Sequence, residues 1–342
     1  MKKSNLKGWL YLLPAMIFLG AFLVYPLIDV LVYSFKEEYN FVTQNFVGIG
    51  LWNYEKVLRD PYFIQALKNT FILVSITVPL STIIALIISM GLASIKSLRK
   101  LFQTVYFLPY VTNTLAVGMV FMILFDQTDH SLGLINAIVS VSRDVAIDFI
   151  NAIIEFLNKV HFAVFFNDLI EFLGVVANVI SGPIDFIDFI NGPYWAKMLV
   201  MCVYTIWVVM PFKILILTGA LASVKQDYYD AARVDGTSKM RTFMRITLPM
   251  ISPTLFYLII TGFIGAFKAY SDAVALFGTD LNAAEMNTIV GYVYDMLYGE
   301  GGGWPSYASA AAIILFVIVF TITVINLLIR RKLVFSSKGG DK

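Results

Sequence analysis

The sequence predicts an all-α, polytopic membrane protein with six transmembrane helices and additional external amphipathic helices. Of its 342 residues, 59% are hydrophobic and only 14% are charged, whereas a soluble domain has about 45–50% apolar and about 25% charged residues. The mean hydropathy is +0.78, and several apolar stretches reach the roughly 20 residues that a helix needs to cross a bilayer. This composition excludes a soluble enzyme.

Six apolar stretches define the predicted spans. They lie at Gly8–Phe35, Thr70–Ala93, Leu101–Phe125, Ala196–Ser223, Pro249–Phe277 and Tyr307–Ile329. The first stretch is much longer than the core of a signal peptide, about 7–15 residues, and no small-residue cleavage site follows it. We therefore expect it to remain as a membrane anchor.

Basic residues gather at alternate ends of these spans. Lysines and arginines lie at 2–7, 96–100, 225–245 and 330–332, whereas the loop after the fifth span has four acids and no basic residue. Because positive charge is retained on the cytoplasmic side, both termini are expected in the cytoplasm. The expected order is an N-terminal tail with the first span (1–36), an external loop (37–69), spans two and three (70–125), an external insertion (126–195), spans four to six (196–330) and a cytoplasmic tail (331–342).

The insertion at 126–195 is the region whose location is least obvious from the sequence. A seventh span at Val160–Ile180 would contain two acids, and an acid at the centre of a span costs about 2.5–3.5 kcal/mol. It would also move the basic cluster at 225–245 to the outside. Apolar residues between 145 and 176 instead recur every three or four positions, as in amphipathic helices. We therefore predict external helices that lie on the membrane or on the other spans.

The loop at 225–248, between the fourth and fifth spans, has the pattern of two short helices with a break. Gln226–Val234 favours a helix, Gly236 permits a change of direction, and a hydroxyl at 237–238 can cap the next segment. Pro249 suits the first turn of the fifth span. The 225–248 loop is thus expected to form a compact knob in the cytoplasm.

This loop resembles that of the permease subunits of binding-protein-dependent ATP-binding-cassette importers. The family pattern is Glu-Ala-Ala, two residues, Asp-Gly-Ala, and later Phe before Ile-Thr-Leu-Pro. The residues of this chain that carry the same spacing are Asp230, Ala231, Ala232, Asp235, Gly236, Phe243 and Pro249. In two departures from the pattern, Asp230 replaces the usual Glu and Thr237 replaces the usual Ala.

Other segments resemble the sugar-transporting, maltose-type branch of that family. They are Phe46-Val47-Gly48, Trp52-Asn53-Tyr54, Asp60-Pro61-Tyr62-Phe63, Ala66-Leu67-Lys68-Asn69-Thr70, Phe107-Leu108-Pro109-Tyr110 and Tyr307-Ala308-Ser309-Ala310. The 126–195 insertion is longer than the usual connection. The resemblance implies a type I importer permease in a bacterial-type cell membrane, paired with a sister permease and two ATPases, that receives an oligosaccharide from an external binding protein.

The resemblance also implies how the loop would act. Asp230 would face a basic or polar group of an ATPase, Ala231 and Ala232 would permit close approach, and Gly236 would set the bend. The chain contains no Gly-x4-Gly-Lys-Ser/Thr phosphate loop, so ATP and Mg²⁺ are expected on partner subunits. We expect no cofactor and no catalytic residue in this chain. Its net charge of +2, spread between spans, gives no reason to expect a nucleic-acid partner.

Polar and aromatic residues within the spans are candidates for a substrate path. Sugars bind through aromatic faces and hydrogen bonds, and ionisable groups within spans are costly and therefore functional candidates. The candidates are Tyr110, Asn113, Tyr204, Trp207, Lys213, Phe267, Lys268 and Tyr270. Asp29, Lys197 and Asp272 lie near span ends, where they can reach the interface. His130, His161 and Cys202 lack metal spacing, so no metal is expected.

Several functions stay open at this point. The solute can be an oligosaccharide or a glycerophosphate-like or other polar compound. An ion-coupled secondary transporter would need paired intramembrane acids or two corresponding halves with broken helices. A membrane-embedded transferase would need a cluster of catalytic acids or histidines. The sequence has no internal half-repeat and no such cluster.

Overall fold

The computed structural model of the chain describes residues 3–40, 43–95, 99–125, 133–159, 174, 177, 188–299 and 303–333. These residues are mainly helical, which confirms the predicted all-α class. One antiparallel ribbon pairs β1 (Lys36–Glu37) with β2 (Gly48–Ile49).

The helices follow one another with short connections. In chain order they are α1 (Lys3–Leu19), α2 (Tyr25–Phe35), α3 (Trp52–Arg59), α4 (Pro61–Ser94), α5 (Arg99–Val111), α6 (Thr114–Phe125), α7 (Gly133–Lys159), α8 (Tyr194–Ala222), α9 (Gln226–Val234), α10 (Lys239–Thr242), α11 (Leu248–Ala266), α12 (Ser271–Phe277), α13 (Ile289–Tyr298) and α14 (Pro305–Leu333). Turns of π-helix at Gly20–Val24 and Phe243–Thr247 join α1 to α2 and α10 to α11.

Within the described ranges, five helical segments are long and apolar enough to cross a membrane. They are Gly8–Phe35, Pro61–Ala93, Tyr194–Ala222, Lys239–Ala266 and Pro305–Ile329. The predicted third span is a pair of helices, α5 and α6, bent by 102°. The total is therefore up to six crossings, in line with the six that the sequence predicts.

The bend in the third span has a local cause. Pro109 lies inside α5 and removes a backbone donor, which weakens the helix there. The Asn113 side chain then accepts a 2.9 Å bond from the Leu115 N–H and so caps the start of α6. Hydropathy alone could not reveal this break, because apolar residues continue on both sides of it.

The predicted fifth span is also interrupted. Its helix begins earlier than expected, at Lys239, and ends at Ala266. Tyr270 has φ −145° and ψ −54°, outside the helical region, and the short helix α12 follows. The stretch Pro249–Phe277 is therefore two helices rather than one continuous helix.

Helices α4 and α8 form the centre of the molecule. They pack along each other, and α11 and α13 contact α4 from other sides. Most large side chains of α1 and many of α14 remain exposed in the monomer. Apolar helix surfaces of this size are typical of contact with lipid or with another membrane subunit.

The two ends of the bundle carry different loops. At one end, Met90 and Ala93 of α4 border the 225–248 loop. At the other end lie α3, α13 and both flanks of the insertion, where Phe125 and Phe189 make a T-shaped ring contact at 5.8 Å. The 225–248 loop and the insertion flanks thus lie at opposite ends.

The insertion itself is described only in part. Its first segment is the helix α7, which includes the predicted helical positions from Val145 to Ile153. The second predicted helix, at 169–176, falls outside the described residues apart from Gly174.

A close contact joins α6 to α12. Gly118 is buried, and a Cβ atom added to it would lie 2.2 Å from the Cβ of Ala275. Real Cβ atoms do not approach so closely, so the two helices can pack at this distance only because residue 118 is a glycine.

We expect Gly118→Ala to destabilise the protein by about 1–3 kcal/mol through overpacking, seen as a lower thermal midpoint in detergent. Ala275→Gly should restore most of the loss in the double variant, because it removes the clashing methyl group. A double variant no more stable than Gly118→Ala would contradict the contact.

Candidate functional site

A cavity of about 430 Å³ opens between α4, α5, α8, α11 and α12. Its volume falls within the range of ligand pockets, about 300–1,000 Å³. Hydroxyl groups line much of it, from Thr77, Ser81, Thr114, Thr205, Thr261 and Ser271. We call this space the central cavity.

Lys213 lies at the wall of the central cavity, with only 4% of its surface exposed. Its Nζ donates to Ser81 Oγ at 2.7 Å, to Thr82 Oγ1 at 2.9 Å and to the Val78 carbonyl at 3.2 Å. An ammonium group has three N–H donors, and all three are used. Lys213 therefore holds α8 against α4 and has no donor left for a ligand.

Other polar groups of the central cavity are less engaged. Thr77 Oγ1 is buried and has no hydrogen-bond partner among the residues that the structure describes. Thr205 Oγ1 donates to Asp272 Oδ2 at 3.3 Å, and Lys268 is exposed. The rings of Tyr110 and Phe212 stack at 5.5 Å. The wall thus combines aromatic surface, hydroxyls and one charge of each sign besides Lys213.

The structure brings four of the eight substrate-path candidates to the central cavity. These are Tyr110, Lys213, Lys268 and Tyr270. Asp272, which was expected near a span end, lines it too.

The other four candidates lie elsewhere. Tyr204 is fully buried, and its hydroxyl donates to the Thr114 carbonyl at 2.6 Å. Phe267 packs edge-on against Phe71 at 5.3 Å, and Asn113 caps α6. Trp207 contacts Phe121 and is absent from the cavity wall. The part of these residues in a substrate path remains a prediction.

The small hydroxyl residues were missed because the sequence reasoning weighed ionisable and aromatic side chains and, beyond these, only Asn113. A signal did exist, since Thr77 and Ser81 are four residues apart and therefore share one face of α4. Hydroxyls that recur at this spacing on an apolar helix mark a polar face.

Lys197 holds the loop between α12 and α13 in place and is not part of the cavity wall. It is buried, and its Nζ donates to the Ala284 carbonyl at 2.7 Å, with Glu285 at 3.9 Å. Asn69 donates to the carbonyls of Glu285 and Asn287, each at 2.9 Å. These contacts fix the loop between α12 and α13 onto α4 and α8. Asp29 lies half-exposed in α2.

Asp295, in α13, binds the same loop through two hydrogen bonds. Its Oδ2 accepts bonds from Asn287 at 2.8 Å and Asn282 at 2.9 Å. Burial raises the pKa of Asp295, and the two amide donors offset part of that rise. The carboxyl group therefore serves as an acceptor that ties the loop to α13.

The 225–248 loop ends its first helix with a glycine cap. Gly236 has φ +66°, its N–H bonds to the Arg233 carbonyl at 3.2 Å, and the Thr237 N–H bonds to the Ala232 carbonyl at 3.0 Å. This pair of bonds defines a Schellman motif. Ser238 caps α10, so the predicted break at Gly236 and the hydroxyl cap are confirmed.

The outer face of α9 is free for contact. Asp230 is exposed, and its partners are Gln226 at 3.2 Å and Arg233 at 3.5 Å on the same helix. Val234 is 88% exposed, which is unusual for an apolar residue at a rigid site. Ala231 is exposed, whereas Ala232 is buried.

The inner face of α9 is fixed to the bundle. The hydroxyls of Tyr229 and Thr247 lie 3.1 Å apart, and Phe243 borders a space of about 740 Å³ between the loop and the end of α4. Asp235 is exposed at the end of α9, and Pro249 lies in the first turn of α11.

In the part of the chain that the structure describes, no group of three or more His, Cys, Asp or Glu could hold a metal ion. His130 and His161 lie outside the described residues.

Comparison with known proteins identifies related sequences and folds. Residues 78–334 match the family model "Binding-protein-dependent transport system inner membrane component". The chain is 25% identical to the arabinooligosaccharides transport system permease protein AraP of Halalkalibacterium halodurans, over 89% of this chain and 81% of that protein. It is 26% identical to the lactose transport system permease protein LacF of Rhizobium radiobacter, over 95% and 93%.

A solved structure has a similar fold. A chain of a bacterial alginate ABC transporter, in complex with an alginate pentasaccharide-bound periplasmic protein, matches with a TM-score of 0.69 and 20% identity over 96% of both chains. This likeness extends the shared architecture to almost the whole molecule.

The open, hydroxyl-rich wall predicts that the central cavity contains water. In Thr261→Cys, we expect a charged thiol reagent to react rapidly with the new thiol, measured as a mass increase of the purified protein. Thr218→Cys, which is buried on α8 away from the cavity, is the matched control and should react far more slowly, as should the buried Cys202. Equal rates at 261 and 218 would contradict a hydrated cavity.

Proposed function

The chain belongs to the family of inner membrane components of binding-protein-dependent transport systems, and from this premise we propose that it is the transmembrane subunit of an ATP-driven importer for an oligosaccharide. It is a multi-pass membrane protein. In the proposed complex it pairs with a homologous sister permease and two cytoplasmic ATPases, which bind ATP and Mg²⁺. An external binding protein delivers the solute.

The observation that carries this proposal is the wall of the central cavity. Stacked aromatic rings and a row of hydroxyls match the apolar faces and hydroxyl groups of a sugar. The names of relatives that carry arabinooligosaccharides and lactose support the same class of solute.

The 225–248 loop is proposed as the contact with the ATPase. Its Schellman cap gives α9 a fixed end, and the Tyr229–Thr247 contact joins it to α11, so that a push on α9 is transmitted to a helix of the cavity wall. Asp230 and Ala231 lie on the exposed face, where they would meet the partner. Ala232 is buried, so it lets α9 lie close to the rest of this chain.

The proposed orientation follows from charge. The basic residues of the 225–248 loop favour the cytoplasm, and the flanks of the insertion at the opposite end are then external. Both termini would be cytoplasmic. ATP hydrolysis is assigned to the partner because this sequence has no phosphate loop.

A glycerophosphate-like or other polar solute that carries negative charge is a second candidate, and Lys268 favours it. This exposed lysine lies on the cavity wall, where it could pair with a phosphate or a carboxylate. Uptake of a labelled neutral trisaccharide, measured with an excess of glycerophosphate or of an acidic trisaccharide, distinguishes the two classes. Inhibition by either anion supports an anionic solute, and no inhibition supports a neutral sugar.

Replacement of Gly236 tests the coupling role of the loop. A residue branched at Cβ is strained at φ +66° by about 1–2 kcal/mol, although a Cβ there meets no atom within 4 Å. We expect Gly236→Val to lower uptake per ATP hydrolysed by about fivefold to tenfold in the assembled complex. Gly236→Asn is the matched control, because asparagine tolerates this backbone conformation.

Measurement of uptake and ATPase rates in vesicles with loaded binding protein checks this expectation. If Gly236→Val imports at the wild-type rate with ATPase still stimulated, the loop is not the coupling element.

Filling the central cavity tests the solute path. Gly265 lines it, and a Cβ at this position meets no atom within 4 Å, so Gly265→Leu should occupy space without disturbing the fold. We expect a loss of uptake of roughly tenfold or more, because overpacking against a ligand costs about 1–3 kcal/mol. Gly219→Leu on α8 is the control, since Gly219 also has free space but lies outside the cavity.

Normal uptake by Gly265→Leu, in a complex that assembles normally, would exclude the central cavity as the path.

A further inference from the structure

A second cavity of about 660 Å³ lies at the end of the bundle opposite the 225–248 loop. It is formed by α3, the first turn of α4, α13 and the start of α14. Its wall includes Trp52, Lys56, Arg59, Asp60, Trp304 and Tyr307. We call it the outer cavity, and its volume is within the usual range for ligand pockets.

Three aromatic rings form a row along the outer cavity. Tyr307 lies between Trp52, at 5.8 Å, and Trp304, at 5.5 Å, measured between ring centres. Trp304 remains 43% exposed. The row joins residues more than 250 positions apart in the sequence, and it offers an extended aromatic surface to a ligand.

Charged groups beside the rings are held in place. Arg59 pairs with Glu55 at 2.8 Å, and the Lys56 ammonium lies 5.0 Å from the ring centre of Trp52. Asp60 accepts bonds from the Tyr62 N–H at 2.9 Å and from the Tyr292 hydroxyl at 2.7 Å.

Tyr292 itself is buried, and burial together with Asp60 raises the pKa of its phenol. The phenol therefore stays protonated and continues to donate. The wall has two basic and two acidic side chains, so the outer cavity has no net formal charge.

The outer cavity is separate from the central cavity. No described residue lines both. Pro61, at the outer cavity, is 16 residues from Thr77, at the central cavity, along α4. At 1.5 Å per residue this is about 24 Å, which is longer than one sugar ring.

We propose that the outer cavity binds a sugar unit of the oligosaccharide on the external side, as a site distinct from the central cavity. The inference rests on the proposed function, which supplies the orientation and the class of ligand. The combination of a row of aromatic rings with fixed donors and acceptors is suited to a sugar, whose ring has apolar faces and whose edges carry hydroxyls. The balanced charge makes it a poor site for a phosphate.

Photolabelling of the full chain in lipid nanodiscs tests this assignment. The probes are trisaccharides of arabinose, of glucose and of mannuronate, each with a diazirine, and mass spectrometry identifies the labelled peptides. For at least one probe we expect label on peptides that contain Trp52 or Tyr307, and excess unlabelled trisaccharide should remove it.

Variants separate the two cavities. Trp304→Ala should reduce the outer label about fivefold, the size expected for loss of one aromatic contact, and Trp304→Tyr should retain much of it. Trp195→Ala, at an exposed tryptophan outside the outer cavity, should label as the wild type does. Gly265→Leu should remove label at the central cavity and leave the outer label unchanged.

The outcomes for the two sites differ. No competed label at Trp52 or Tyr307 with any probe, or an equal label in a folded Trp304→Ala protein, overturns the outer site and leaves the central cavity to be judged on its own label. Outer label without central label supports the outer site and counts against the central one. Label that excess sugar does not remove also overturns the outer site.

Discussion

A buried ammonium group holds the two central helices of this protein together. Lys213 extends from α8, and one turn of α4 supplies all three of its acceptors. Within an apolar bundle, a charge without partners would cost several kcal/mol, so the register between α4 and α8 is set by the need to satisfy it. A Cβ on Gly262 would lie 3.4 Å from the same ammonium, which means that α11 also packs against this point. The central cavity is the space left beside it.

The two ends of the bundle are built on different principles. At the outer end, side chains of α4 and α8 bind the carbonyls of the loop between α12 and α13, and Asn69 also accepts a bond from the Tyr194 hydroxyl at 2.9 Å. That loop is fixed by long-range contacts. At the other end, α9 is ended by bonds between its own backbone groups, and the Tyr229–Thr247 contact fixes its inner face. Its exposed face is therefore rigid and available, as a docking element requires.

Composition and charge were sufficient to predict the class, the number of crossings and the break at Gly236, because each depends on local chemistry. The breaks at 112–113 and 267–270 were not predictable from hydropathy, since the sequence is apolar on both sides of each. The sequence also did not show which face of each helix points into the core. Tyr204 and Tyr110 have the same side chain, yet Tyr204 points into the core and Tyr110 points to the cavity. The reason is that a helix that is apolar all round does not specify which face is buried.

Thr237 departs from the family pattern, and the structure gives it a role, since its Oγ1 donates to the Ala232 carbonyl at 2.7 Å.

The contact between Gly118 and Ala275 limits how the central cavity can change shape. Because the two backbones touch, α6 and α12 cannot slide or separate without opening a void, and they must move as one rigid body. Each of these helices is preceded by a non-helical segment, 112–113 before α6 and 267–270 before α12. On the cavity wall, Tyr110 and Thr114 lie beside the first segment, and Tyr270 lies in the second. Rotation of the pair about them would widen or narrow the cavity, and it would have to break the bonds that α8 makes to Thr114 and Asp272.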